Sequence, residues 1–429
     1  MELSVASNFD DELILRLKDY PVVEVYGKLT SDIVGGGRSS YMLAPTDRKK
    51  LARHVALAKQ NGIGFNYLLN AACLDNIETT RRGQKAIREL LDWVSSIEVS
   101  AVTLSNPLLL RIVKKNYPQL NVRVSVFANV DHPRKAKYWE DLGADVICLD
   151  SLTVNREFKT LKQLRKSVSC ELELLANNNC LQSCSLSPTH MTLLAHSSQS
   201  KHVNKGFVID HCLLECSKLK LKDPVNYIRS DWIRPEDIHC YEEIGFKRFK
   251  LVERNLPTAV MVNRVKAYSE RKYEGNLIDL IQPYGHQQKN GATTGAAGAS
   301  SGKDEEVFRG GGASKKALLW RLKFLLRPFK VNVFKLNSIR KLSERKGMLT
   351  AIKGDAPVYI DNRSLDGFID RFLKVGCRDV DCEHCRYCHD VAGRAVKIDS
   401  SYKSDCLALH EAIDKDLETG SMWNYVKSN

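Results

Sequence analysis

Eight of the thirteen cysteines fall into two tight groups. The first is Cys180 and Cys184 followed by Cys212 and Cys216, two C-x3-C pairs. The second is Cys377, Cys382, Cys385 and Cys388, spaced C-x4-C-x2-C-x2-C. Clustered thiols in a chain without an export signal point to metal rather than to disulfides. Two cysteines a turn apart place both sulfurs on one side, and a second pair brought in by a loop closes a four-thiolate site of the kind an iron–sulfur cluster needs. Zinc is the competing reading, although four-cysteine zinc sites usually show C-x2-C knuckles separated by a longer loop. In the second group the C-x2-C-x2-C run leans toward a ferredoxin-type cluster, with zinc kept open by His384 and His389. His190, His202, His211 and His239 are spare imidazoles around the first group. The other five cysteines, Cys73, Cys148, Cys170, Cys240 and Cys406, read as small buried apolar residues.

The elements that must position these groups alternate in type. Apolar strand-like runs occur at 3–7, 22–27, 64–70, 99–105, 122–128, 144–150, 170–176 and 246–252. Amphipathic helical patterns such as RKKLARHVALAKQNG and QKAIRELLDWVSSI lie between them. Eight strands separated by helices predict an α/β fold, a TIM-like (β/α)8 barrel, with a doubly wound open sheet as the alternative. A barrel carries its site at the C-terminal ends of its strands. Arg38, Asn70, Ser105, Asn129, Asp150, Asn177 to Cys180, Glu253 and Arg254 fall there. The longest interruption, 181–231, leaves from the same rim and carries three of the first four clustered cysteines.

We divide the 429 residues into a barrel over 1–283, a flexible Gly/Ala/Ser linker over 284–316 and a small basic, then Cys-rich, domain over 317–429. The linker contains GASSG at 298–302, formally a nucleophile-elbow pattern, but without the strand and helix that such an elbow requires. No H-E-x-x-H is present. The N-terminus is acidic where a signal peptide is basic, and no apolar run is long enough to span a membrane, so the cytoplasm is the expected location. A net charge of +14 favours an anionic partner. Residues 315–346 hold eleven Lys or Arg and one Glu among Trp, Phe and Leu. That pattern suits RNA, an anionic lipid surface, or simply a half-buried element with a solvated basic face.

Three stretches, VYGKLTSDIVGGGRSSY, ELELLANNNC and DWIRPEDIHCYEEIGFKRFKLVERN, together resemble the collagenase-like peptidase family U32 over most of residues 1–260. APVYIDNRSLDGFIDRFLKVGC and CEHCRYC resemble the C-terminal region of one branch of it. The resemblance implies a TIM-like barrel with a 4Fe-4S cluster held by four cysteines at the rim. It also implies membership of a group that includes proteins needed for oxygen-independent hydroxylation of RNA bases or of a quinone ring, some of them dependent on prephenate. Other members have been described as collagenase-like proteases. Arg38 matches the family's arginine after the second strand, Asn70 the asparagine ending the third, and Cys180 the first cluster cysteine. Lys250 and Arg254 match the ends of its K-I-E-G-R motif. This chain departs from that motif at Val252, with Glu253 one place on. It also departs in cysteine spacing, so that Cys240 competes with Cys216 as fourth ligand.

The expectation is an iron–sulfur redox or hydroxylating enzyme acting on RNA or a small aromatic molecule. Arg38, Asn70, Lys250 and Arg254 would be catalytic, and the two arginines would clamp an anion such as a carboxylate. A peptidase and an RNA-binding accessory protein with structural metal are the alternatives.

Overall fold

The computed structural model describes residues 1–281 except 41, 42, 44, 204, 207, 208 and 255. It also describes the strand residues 286–287, 293–294 and 352–353, and residues 331–423 except 333, 348–351 and 354. Eight parallel strands close into a barrel: β1 (Glu2–Ala6), β2 (Val22–Gly27), β3 (Gly64–Leu69), β4 (Ala101–Leu104), β5 (Asn121–Val124), β6 (Val146–Cys148), β7 (Glu171–Leu175) and β8 (Arg248–Leu251). Closure is made by β8 pairing with β1, Leu3 opposite Phe249 and Val5 opposite Leu251. Each of the eight apolar runs supplies one strand. The fifth is shorter than expected: Ser125 Oγ accepts from Phe127 N, turning residues 126–128 into a 3-10 turn.

Helices cover the outside, several of them started by a side chain that satisfies free amides. Asp47 caps Arg48–Gln60, Thr80 caps Arg81–Ser96, and Asn106 followed by Pro107 caps Pro107–Asn116. The apolar stripe of Arg81–Ser96 (Ile87, Leu90, Leu91 and Val94) is buried against the sheet.

The inside of the barrel is polar. Glu24 of β2 accepts from Ser4 Oγ (2.9 Å) and Asn66 Nδ2 (3.1 Å), and pairs with Arg123 (3.1 Å) and Arg248 (3.3 Å). Thr103 Oγ1 donates to Asn66 Oδ1 at 2.9 Å. Glu173 of β7 lies 3.6 Å from both Arg248 and Lys250. Burial opposes the charge on Glu24, yet Arg123, Arg248 and Lys250 hold its carboxyl below the usual range.

The tail is fastened to the barrel. Strand Val358–Ile360 pairs with Val396–Ile398, and Leu277 N donates to Ile360 O at 2.9 Å. Buried Arg234 donates to Asn362 Oδ1 (2.9 Å), Leu365 O (2.6 Å) and Asp366 Oδ1 (2.7 Å). Helix Ser400–Glu418 lies between Leu336–Arg345 and the excursion helix His211–Lys222. Within the expected linker, His286–Gln287 pairs with Thr293–Thr294 and with Ile352–Lys353. The rest of that linker, and 315–330 of the basic stretch, lie outside the described residues. No described helix is long and apolar enough to cross a membrane.

Candidate functional site at the barrel mouth

The C-terminal rim gathers cations. Lys28, one residue past β2, pairs with Asp32 at 2.8 Å, and Tyr67 OH donates to the same Asp32 carboxylate at 2.7 Å. Asp32 Oδ1 also accepts from the amides of Val34 (3.0 Å) and Gly35 (2.7 Å), which shapes the loop leading to Arg38. Arg38 pairs with Glu253, a residue in the left-handed region at φ 93°. Arg254 is 6% exposed and its Nη1 has no hydrogen-bond partner. It forms no ion pair with a carboxylate among the described residues. Burial, then the neighbouring Arg38, lowers its pKa to about 10. Lys250 Nζ stands 4.3 Å over the Tyr26 ring, and Tyr26 OH donates to Leu251 O at 2.8 Å. Asn70 donates to Ser125 Oγ at 3.2 Å and leaves its buried Oδ1 unpartnered. All four residues expected to be catalytic therefore sit at one rim. Lys28, Asp32, Tyr26 and Tyr67 join them without having been singled out. Of the other rim residues, Asp150 caps a short helix through Leu152 N, and Ser105 donates to Ala71 O.

The excursion from β7 folds back over the Arg38 loop. Ser198 Oγ accepts from Gly36 N (2.8 Å), Ser197 Oγ donates to Ser39 Oγ (2.7 Å), and Gln199 Nε2 donates to Val34 O (3.1 Å). At its base, Asp231 accepts from Cys180 N (2.8 Å), Asn178 Nδ2 (2.9 Å) and Ser151 Oγ (2.6 Å). Cys184 and Cys216 lie within electrostatic reach of each other and of both Cys180 and Cys212. Burial pushes Cys180 and Cys216 up and Cys212 to about 11. Two buried lysines face them. Lys220 donates to Asn179 Oδ1 (2.6 Å), and Lys346 reaches in from the tail, its pKa lowered by burial to about 8. Cys240 instead faces Asp237, Glu243 and Asp370. His190 is taken by Asp210 (3.0 Å), His202 stacks on His196 (4.1 Å), and His211 and His239 lie against the sulfurs of Cys212 and Cys240. Among the described residues no three His, Cys, Asp or Glu side chains are placed to hold a metal ion together. Of the remaining cysteines, Cys148, Cys240 and Cys406 are buried and Cys73 and Cys170 half-buried.

A second polar constellation escaped the sequence reading. Ser7, just past β1, is 2.8 Å from His54 Nε2, and His54 Nδ1 is 3.1 Å from Asp11 Oδ1. The connectivity is that of a Ser–His–Asp triad. Yet Ser7 and His54 are fully buried, Phe9 packs its ring on His54 at 5.4 Å, and Ser7 Oγ also accepts from Phe9 N at 3.0 Å.

The fold and rim define a TIM-like barrel with a cationic mouth and a thiol-bearing excursion closed over it. The chain belongs to peptidase family U32, whose family model matches residues 39–268. An uncharacterized protease of Methanocaldococcus jannaschii, MJ1657, is 31% identical over 250 residues, 58% of this chain and 73% of that protein. The U32 peptidase Mk0906 is similar at 22% identity and a TM-score of 0.45, covering 59% of this chain and 93% of that one.

Proposed function

We infer that the chain is an iron–sulfur enzyme that binds a small anionic substrate at the barrel mouth and modifies an aromatic acceptor, in RNA or free. The observation that carries this reading is Arg254, a buried guanidinium with an unpartnered Nη1 beside Arg38. A cation left without a counter-ion at a buried site is stabilised by an incoming carboxylate, which two guanidiniums grip in fixed geometry. Lys28 is already neutralised by Asp32 and Arg38 is shared with Glu253, so Arg254 is the group with free capacity. Lys250, over the Tyr26 ring and balanced by Glu173, adds a further cation on the inner side of the rim.

Cys180, Cys184, Cys212 and Cys216 supply the donor chemistry of an iron–sulfur cluster and would have to converge further to hold one, with Lys220 and Lys346 as counter-charges to four thiolates. When bound, such a cluster supplies one-electron chemistry. The protein's part is to bury it, orient it through Asp231 and tie its segment to the Arg38 loop. The net charge of +14 supports RNA as the macromolecular partner, and a steep loss of binding with salt is its signature.

A hydrolytic reading has one observation behind it, the Ser7–His54–Asp11 connectivity. Acyl transfer requires a substrate carbonyl at the serine and donors for the oxyanion, and a fully buried serine under Phe9 admits neither.

The test is calorimetric titration of anaerobically purified protein with prephenate and with inorganic phosphate, alongside iron and sulfide analysis. Arg254→Gln is expected to weaken anion binding roughly 10–100-fold, the worth of a charge-assisted hydrogen bond. Cys180→Ala is expected to lose iron and sulfide together. Equal anion binding in wild type and Arg254→Gln, or a wild type devoid of iron, overturns the reading.

A further inference from the structure

The tail cysteines form a site that the function above does not use. Cys377, Cys382, Cys385 and Cys388 all line one cavity of about 20 Å³, which Gln182 and Arg229 close from the barrel side. Cys377, Cys382 and Cys388 are within electrostatic reach of one another. Cys385 Sγ accepts from Arg371 Nη2 at 3.0 Å.

The surroundings are as informative as the thiols. Arg156, 7% exposed, lies over the rings of Trp232 (4.3 Å) and Phe368 (4.9 Å), and it faces Cys388 and Cys377. Arg229 Nη2 lies 3.5 Å from His389 Nε2. None of Arg156, Arg229 and Arg371 forms an ion pair with a carboxylate among the described residues. Three guanidiniums surround the four thiols, and the nearby carboxylates, Asp231 toward Arg156 and Glu157 toward Cys377, form no ion pair with them, so thiolates would supply the missing negative charge. Burying such a charge without a partner costs several kcal/mol. Four thiolates around a zinc ion or an iron–sulfur core bring a net charge of about −2, which answers it.

We propose that Cys377, Cys382, Cys385 and Cys388 hold a second thiolate-bound metal centre at the seam where the tail closes on the barrel. As placed, the cavity has room for about one water-sized sphere. Occupation therefore requires the exposed Cys382 side chain to turn inward. Gln182, between Cys180 and Cys184 in sequence, hydrogen-bonds Cys377, so the two thiol groups share a wall. The tail centre nevertheless stands on its own residues and does not rest on the rim cluster.

The experiment uses the full chain, expressed with zinc and iron and purified without oxygen. Metal and sulfide are measured for wild type, Cys382→Ser and Cys180→Ala. The expected result is two complements of metal in wild type, with the tail complement kept in Cys180→Ala and lost from Cys382→Ser, which keeps the rim iron. Zinc without colour and iron with sulfide both support the centre and tell its metal apart. Metal lost only from Cys180→Ala leaves the rim reading standing and overturns this one, and the converse pattern does the reverse. Iodoacetamide labelling of the unsubstituted protein guards against a variant that fails to fold. Cys382 is expected to resist labelling until the metal is stripped with chelator, and immediate labelling in the metal-loaded chain overturns the proposal.

Discussion

Ser7, His54 and Asp11 show how connectivity and chemistry part company at the level of single residues. The hydroxyl, imidazole and carboxylate are in the order a hydrolase uses, but the hydroxyl is wedged between an imidazole and the amide of Phe9. Gly27 makes room for that wedge, since a Cβ there would lie 2.5 Å from Phe9 Cζ. The trio ties β1 to the helix Arg48–Gln60. Ser7→Ala is expected to lower unfolding free energy by about 1–3 kcal/mol, because it leaves the buried Nε2 of His54 without its partner. Urea denaturation measures that loss, and wild type is expected to resist labelling by a fluorophosphonate probe. Covalent labelling at Ser7 would overturn the structural role. None of this was legible in the sequence, where the three residues are scattered and no local motif joins them. Arg38 and Arg254 were legible because each lies in a loop that leaves the C-terminal end of a strand.

At the scale of elements, every strand was visible as an apolar run, because a barrel strand is covered on its outer face by helices. Closure was not visible, since pairing of β8 with β1 is a contact between chain segments that no local pattern encodes. The polar interior was hidden for a related reason. Ser4, Glu24, Asn66, Thr103 and Glu173 each interrupt a run singly, and only the closed sheet shows that they meet. The loop after β2 is closely packed under the excursion. Gly35 has φ 82°, and a Cβ there would lie 2.8 Å from Ala195 O on the excursion helix. Gly35→Ala is expected to cost roughly 1–3 kcal/mol and to pull Arg38 out of register. Anion affinity should then fall along with thermal stability, whereas a stability loss with unchanged affinity would show that the loop does not position Arg38.

For the whole molecule, the tail is part of the barrel's packing. His410 is fully buried in helix Ser400–Glu418, its Nε2 accepting from Lys346 (3.1 Å) and close to Ser217 Oγ (3.4 Å). Burial, then Lys346 and Lys218, lowers its pKa to about 3. The unfolded chain protonates this histidine below about 6.5, while the folded chain keeps it neutral, so protons favour unfolding. Stability present above pH 6.5 is thus expected to fall as pH drops from 6.5 toward 3. One unit below 6.5 is worth about 1.4 kcal/mol. His54, its pKa also lowered by burial, adds to the same slope. Urea unfolding at pH 7.5 and 5.5 measures the loss, and His410→Gln should flatten part of it. A slope unchanged by that substitution would assign it elsewhere.

The seam between tail and barrel also carries a consequence for the order of synthesis. A chain emerges from the ribosome N-terminus first, and its early part begins to fold before the rest exists. Cys216, Lys220 and Arg234 are made early, but Lys346, Asn362 and His410, which cover or bind their neighbourhood, are made last. The nascent barrel therefore passes through a stage in which its thiols and buried cations face water, and it is in that interval that any metal has open access to the rim.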